Sequence, residues 1–452
     1  MNAFAGAYGD ERRAAAVARL SQQIVSHGSV VIRVVGGDRN GELAAHRVLG
    51  SCHVTPRETV ACVAQQTARA CAGRRVVVPQ DTTEVNFVGR ISRGLGGVGR
   101  LGETPGFFIH AAIAVDADEE AVLGLVAAQI WNRREHQQTP RRQRDISAKE
   151  SQRWLKTTDQ AGQLLPEASQ IIMLGDREND IYQAFVRRPE NVELIIRAAQ
   201  DRALADGGKL FAAPAGWEEL AQQTVPVASR GPGDKGRQAT VSLRAGPVRL
   251  CRPLHGRNAN MPPEVTLHLV EAREISPPAG VQPLHWRLLT TLAVQTADDA
   301  AEVVRLYRLR WRIEQTFRTL KSDGLKLEEC QTHDPWRLLN LSALALDAAV
   351  KTIQLVDARD GSNRPASDVA SKAEIAAARA ICPTLEGNTP RQRNPHPDGS
   401  LAHLSWVVAR LGGWNCYYKP PGPKTMRRGW DRLKAIAIGF SLKKPGKNAR
   451  IP

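Results

Sequence analysis

Acidic charge is the scarcer kind in this chain of 452 residues, where 46 Asp and Glu stand against 62 Lys and Arg for a net charge of +16. Such an excess favours a polyanionic partner, because Lys and Arg that neutralise phosphates release condensed counterions. Cysteine is sparse too. The seven (Cys52, Cys62, Cys71, Cys251, Cys330, Cys382, Cys416) are odd in number and never spaced Cys-x-x-Cys. That argues against a disulfide framework or a zinc site and for reduced thiols in a cytoplasmic protein. No run approaches the ~20 apolar residues that span a bilayer, which leaves nucleic acid ahead of an anionic membrane as the partner. The N-terminus, MNAFAGAYGDERR, lacks a basic region followed by an apolar core and does not read as a signal peptide. There is no internal repeat. What is present, a 42% hydrophobic chain of this length, suits two or three globular domains.

The first ~70 residues read as helical. Asp10 is placed to cap a helix through ERRAAAVARLSQQIV, and Thr55-Pro56-Arg57-Glu58 is a capping box with proline at the first helical position, opening a helix that Gly73 stops. The pattern changes at Arg74. Val76-Val77-Val78 is a buried-strand run ending in Pro79-Gln80-Asp81, and strands are predicted over Phe107–Val115 and Val122–Trp131. A capped helix from about Lys149 to Leu165 precedes a second buried strand, Ile171 to Gly175, which ends at Asp176; a short helix (Ile181 to Val186) and the strand Val192 to Ile196 come next. Three strands, then alternating helix and strand, predict a mixed α/β sheet with helices on its faces. From about Arg202 to Pro283, alternating stretches such as Ala239–Leu243 and Val265–Leu269 predict inserted β-hairpins. Past Asp357 a polar stretch precedes two short helices and a basic tail, KKPGKNARIP.

The segment VVRLYRLRWRIEQTFRTLK, Val303 to Lys321, has no proline or glycine and is predicted as one helix. On a 100° wheel Arg310, Glu314, Arg318 and Lys321 fall within about 60° of Tyr307. Leu306, Leu309, Ile313, Phe317 and Leu320 fall on the other side, so one stripe is core. The facing stripe is either a solvated face with Glu–Arg pairs four apart or a carboxylate for a divalent ion with cations for phosphates. Asp81 and Asp176, each just beyond an apolar strand, are similarly open: turn and helix caps, or further ligands. Together the three match phosphodiester chemistry, where two hard cations about 3.5–4 Å apart need carboxylate ligands.

These blocks, PQDTT with Asp81, GDRENDIY with Asp176 and YRLRWRIEQTFRTLK with Glu314, resemble the insertion-sequence-four family of bacterial transposases. Tyr307, Arg310, Glu314 and Lys321 stand in that family's Y-x-x-R-x-x-x-E-x-x-x-x-x-x-K signature. The resemblance implies a ribonuclease-H-like catalytic domain (74–356) with a β-rich insertion (about 202–285), flanked by a helical end-binding domain (1–73) and a C-terminal helical domain (357–452) for dimerisation or synapsis. It implies a cut-and-paste transposase that binds double-stranded DNA at transposon ends and target, working as a homodimer on the bacterial nucleoid. Asp81, Asp176 and Glu314 would hold two Mg²⁺ or Mn²⁺ ions, and cleavage would pass through a DNA hairpin. Tyr307, Arg310, Arg318 and Lys321, with Arg177 and Arg197, would position phosphates. Trp286 would receive a flipped base, or else be core beside Leu288.

Weaker likenesses are GDERRAAAVARL to the end-binding helices, with Arg12 and Arg13 as DNA contacts, Lys149-Glu150-Ser151 with Trp154 to a recurrent helix start, and LGGWNCYYKPPGPKTMRRGWDRL to a common C-terminal segment. Only nine residues precede Asp10, fewer than relatives often carry; a trimmed end-binding domain would weaken recognition without touching chemistry. The alternatives are a catalytically idle DNA-binding inhibitor or decayed transposase, and a ribonuclease-H-like nuclease that cuts without joining.

Overall fold

The structure, a computed structural model, describes residues 3–87, 94–99, 101–133, 151–227, 236–253 and 260–442. Lys149, Glu150 and the basic tail lie outside them. Four helices come first: α1 (Glu11–His27), α2 (Ile32–Gly36), α3 (Arg39–Gly50) and α4 (Pro56–Cys71). The expected N-caps form, but not the reciprocal half of the Thr55–Glu58 box, since the Glu58 carboxylate accepts from the amide of Tyr8 at 2.6 Å instead. Asp10 accepts from the amide of Arg13, and Thr55 from that of Glu58 ahead of Pro56. Next are β1 (Arg75–Asn86), β2 (Gly96–Val98), β3 (Thr104–Asp116), β4 (Val122–Trp131), α5 (Gln152–Leu164), β5 (Gln170–Gly175), α6 (Tyr182–Val186) and β6 (Val192–Arg197). The β-rich part is β7 (Ala221–Val227), β8 (Arg237–Cys251), β9 (Glu264–Glu274) and β10 (His285–Thr290). Helices α7 (Ala297–Arg308), α8 (Trp311–Arg318), α9 (Pro335–Asp357), α10 (Lys372–Leu385), α11 (Leu401–Leu411) and α12 (Pro423–Leu442) complete the described chain.

All ten strands of the described residues join one sheet in the order β2-β3-β1-β5-β6-β10-β9-β8-β7, with β4 paired to β3. β1 runs antiparallel to β3 and parallel to β5, and β5 parallel to β6, a mixed sheet consistent with a ribonuclease-H-like domain. The predicted hairpins extend this same sheet, because β10 pairs antiparallel with both β6 and β9. Strand period two sorts the core. Val77, Ile172, Leu174 and Ile195 share one core with α7, α8 and α9, whereas Val76, Val78, Ile171, Met173, Leu194 and Ile196 pack with α5 and α6 in the other.

Three expectations need correcting. The segment 303–321 is not one helix: a tight turn at Leu309–Arg310 separates α7 from α8, and a π-turn extends over Thr319–Asp323. Past Asp357 the described residues hold three α-helices, the last of 20 residues. And one apolar run is long enough to cross a bilayer, Pro335–Asp360, but 83% of its most apolar window is buried inside the protein. α9 packs against α1, α3, α4, α8, α12 and β4. Every residue from Asn340 to Val350 is buried, because that stretch of α9 is surrounded by protein.

Candidate active site

Asp81 lies inside β1, not past its end. The parallel pairing of β1 with β5 reaches only Pro79 opposite Leu174, while β1 continues along β3 with Asp81 opposite Ala111. One neighbour stops and the other goes on, so the sheet opens at Asp81. The alternation that aims Val77 and Leu174 at the α7–α9 side aims Asp81 and Asp176 there too, since Asp176 is still extended at φ −83° and ψ −165°. Gly175 is required by the turn that folds back on the strand end, where a Cβ would stand 2.4 Å from Nδ2 of Asn179. Both carboxylates also serve as the local caps that their positions suggested. Oδ1 of Asp81 accepts from the amide of Thr82 at 2.7 Å, and Oδ1 of Asp176 from that of Glu178 at 2.8 Å.

Glu314 arrives from α8. At the turn before it, the amide of Arg310 bonds the carbonyl of Tyr307 at 3.1 Å, and that of Ile313 the carbonyl of Arg310 at 3.3 Å. Such i to i+3 closure eclipses side chains three apart, which stacks Arg310 over Tyr307 more closely than an α-helix would. Arg310 then spans two carboxylates, donating to Oδ2 of Asp81 at 3.0 Å and to Oε1 of Glu314. Leu306, Leu309, Ile313, Phe317 and Leu320 are all buried, as the wheel required.

Electrostatics ties the three acids together. Burial, helped by the like charges of Asp176 and Glu314 and opposed by Arg310, pushes the Asp81 carboxyl up to about 6. Tyr307 is buried and pushed up to about 12, chiefly by burial, so its phenol is neutral; it lies within the fields of Arg310 and Arg197. Arg197, at the end of β6, is lowered by burial first and feels Arg177 and Asp176 as well. Three mutually repelling hard-oxygen donors are the set a divalent cation takes. Among the described residues no three close into a finished ligand cluster, and the Arg310 guanidinium spans two of the three.

The other candidates fall in three places. The Trp286 ring, inside β10 and half-buried, meets Tyr307 edge-on with centroids 5.5 Å apart. Lys321, in the π-turn, donates to the carbonyl of Glu84 on β1 at 2.7 Å and pairs with Glu328 at 3.2 Å. The structure places Arg318 elsewhere: it is exposed and lines a 720 Å³ cleft with Arg312, Gln315 and Asp357. Straight-helix extrapolation from Tyr307 fails there because the turn at Leu309–Arg310, between Tyr307 and α8, changes the rotation per residue. Arg12 is exposed at the start of α1, whereas Arg13 is engaged with the carbonyl of Tyr8. Sequence reasoning missed Asp180 and Arg202, a buried ion pair at 2.7 Å that locks the Asp176 turn onto the end of β6. A second aspartate in GDREND was its only signal.

The Asp81 environment sets a pH dependence. A carboxyl whose folded value is about 6 against an ordinary 3.8 binds its proton more tightly when folded. Its contribution to stability is therefore present at low pH and lost as pH rises from about 4 through 6. In chelator at pH 7.5, Asp81→Asn is expected to melt higher than wild type, by an amount on the order of 1–3 kcal/mol, with the difference shrinking towards pH 5. Thermal melts at both pH values test this; a lower melting temperature for the variant at pH 7.5 would show that the Arg310 ion pair outweighs burial and repulsion.

Residues 133–348, just under half of the chain, match the family model for the transposase DDE domain, a span that takes in Asp176, Trp286, Tyr307, Arg310, Glu314 and Lys321, begins after Asp81, and supports a transposase.

Proposed function

We propose that this chain is a cut-and-paste DNA transposase, acting as a homodimer, that cleaves the ends of its element and joins them to target DNA with two divalent ions held by Asp81, Asp176 and Glu314. The observation that carries the reading is the convergence of these carboxylates from β1, the end of β5 and α8 on one side of the sheet, ringed by Arg310, Arg197, Arg177 and Tyr307. When bound, such ions activate an attacking oxygen and stabilise a leaving one. The remaining work falls to the chain. Arg310 and Arg197 hold non-bridging phosphate oxygens, the neutral Tyr307 donates a hydrogen bond to one, and Arg177 adds charge at the exposed rim. Lys321 meets the phosphate path further along β1. Arg12 and Arg13, at the start of the N-terminal helices, would contact end DNA.

The test is incubation of the purified protein with its own element's end DNA and Mg²⁺. Hairpins and joined products support the reading; cuts without joining indicate a plain nuclease, and binding alone an idle inhibitor. Binding should weaken steeply with salt.

A hairpin reverses a DNA strand sharply, which is easier if one base leaves the stack. An exposed indole face can cover that base, stabilising it by roughly 1–3 kcal/mol. Trp286 meets Tyr307 in a T-shaped contact and is half-buried, so part of the ring is open. Trp286→Ala is expected to slow hairpin formation more than the first nick with little change in melting temperature. Equal slowing of both steps, or a large fall in melting temperature, would make Trp286 a packing residue.

A further inference from the structure

On the opposite face of the sheet from the carboxylates, one side chain grips both segments that carry the aspartates. Arg153, the second residue of α5, donates Nε to Oγ1 of Thr82 at 2.9 Å and Nη2 to Oε2 of Glu178 at 2.8 Å. Thr82 and Glu178 are the residues whose backbone amides hold Oδ1 of Asp81 and Oδ1 of Asp176. A single guanidinium thus joins, through two short links, the two backbone donors that orient the two carboxylates. Its planar fork suits this, since two donors leave in fixed directions.

Arg153 is itself held. Its guanidinium carbon lies 5.9 Å from the ring centre of Trp131 and 5.7 Å from that of Trp154. A directional chain fixes the other side of Thr82. Its hydroxyl, accepting from Arg153, gives its proton to Nδ1 of His110 at 2.9 Å. Nε2 of His110 then carries the ring proton and donates to Oε1 of Gln80 at 3.2 Å. The Gln80 amide donates to Thr158 at 3.3 Å, and Thr158 to the carbonyl of Trp154 at 3.0 Å. Every donor in this series finds an acceptor only with a neutral imidazole, and His110 is fully buried. Gln80 and Thr82, on the even-numbered face of β1, belong to this network against α5, and the odd-numbered face presents Asp81.

We infer that Arg153 is a positioning residue that sets the separation and orientation of Asp81 and Asp176, and hence the affinity of the site for divalent cations. This rests on the proposed metal role of those aspartates, and deepens it. Supports of this kind are worth about 10–100-fold in metal affinity or activity.

The experiment measures Mn²⁺ binding to the full chain by electron paramagnetic resonance, beside cleavage of end DNA and melting temperature, for wild type, Arg153→Met, Arg153→Lys and Glu178→Ala. Glu178 has a side chain 63% exposed, and alanine keeps its backbone amide, so this variant removes the grip without threatening the fold. Arg153→Met is expected to lose at least about tenfold in Mn²⁺ affinity and in cleavage rate at fixed metal, with end-DNA affinity unchanged. Glu178→Ala should lose about threefold to tenfold, and Arg153→Lys should recover only part, since an ammonium cannot hold both partners as a fork does. Should Arg153→Met fail to fold, the Glu178→Ala result decides alone. Wild-type Mn²⁺ affinity in Glu178→Ala together with wild-type affinity in any folded Arg153 variant overturns the inference and leaves the transposase reading standing. Weakened Mn²⁺ binding in the variants, beside a wild type that binds the ion but never cleaves end DNA, upholds the inference and sinks the transposase reading. A wild-type chain that binds no Mn²⁺ overturns both.

Discussion

Asp81→Asn, Asp176→Asn and Glu314→Gln are each expected to lower cleavage of end DNA by at least about a thousandfold, some 4 kcal/mol of transition-state stabilisation, while end binding changes by less than about threefold. The substitutions are close to isosteric and remove one ionised ligand apiece. Asp81 and Glu314 are partly accessible, with side chains 20% and 30% exposed, so little packing is lost. The Thr82 and Glu178 amides keep an oxygen to bond in the amide variants. Gel shifts, single-turnover cleavage and Mn²⁺ binding on the same preparations separate chemistry from recognition. Near-normal cleavage by any one variant would remove that residue from the site. Loss of end binding in step with cleavage would instead mean that the carboxylates shape the DNA surface.

Asp180→Ala should produce the largest loss of stability, about 3–5 kcal/mol. The Asp180 side chain is fully buried and that of Arg202 is 6% exposed. Oδ1 of Asp180 accepts from Nε and Nη2 of Arg202, and Oδ2 from the amides of Ala199 at 2.8 Å and Gln200 at 2.9 Å. Removal strands a buried guanidinium and two backbone donors; the bonds from Arg202 and from the Gln200 side chain to the Asp180 carbonyl, at 2.7 and 3.4 Å, survive. Because this carboxylate ties the Asp176 turn to the residues after β6, metal affinity should fall along with stability. Urea denaturation with the metal chelated measures the first, and a change below about 1 kcal/mol would show that water reaches Arg202 and replaces the carboxylate.

Much of the sheet was legible because its signals are local. Val76-Val77-Val78 and Ile171–Leu174 can be buried strands wherever they pack, and Asp10 and Thr55 cap helices through bonds three residues away. Asp81, Asp176 and Glu314 stood out by residue type and place in recognisable blocks. The sequence by itself therefore determined that Asp176 follows a strand end, that Glu314 lies on a helix, and that the chain is basic. What it could not determine was everything that depends on partners distant along the chain. Asp81 is mid-strand because β3 outruns β5. The 303–321 helix breaks because the turn at Leu309–Arg310 brings Arg310 to Asp81, 229 positions earlier. α9 could pass for a membrane span until the helices around it are seen. Arg153 reads as one more surface cation in QRWLK until the fold sets it between Thr82 and Glu178. Local propensity and capping are short-range energies and are written into neighbouring residues. Strand register, burial and the meeting of charges are decided by the tertiary fold, because only there do desolvation and Coulomb interaction act between groups far apart in sequence.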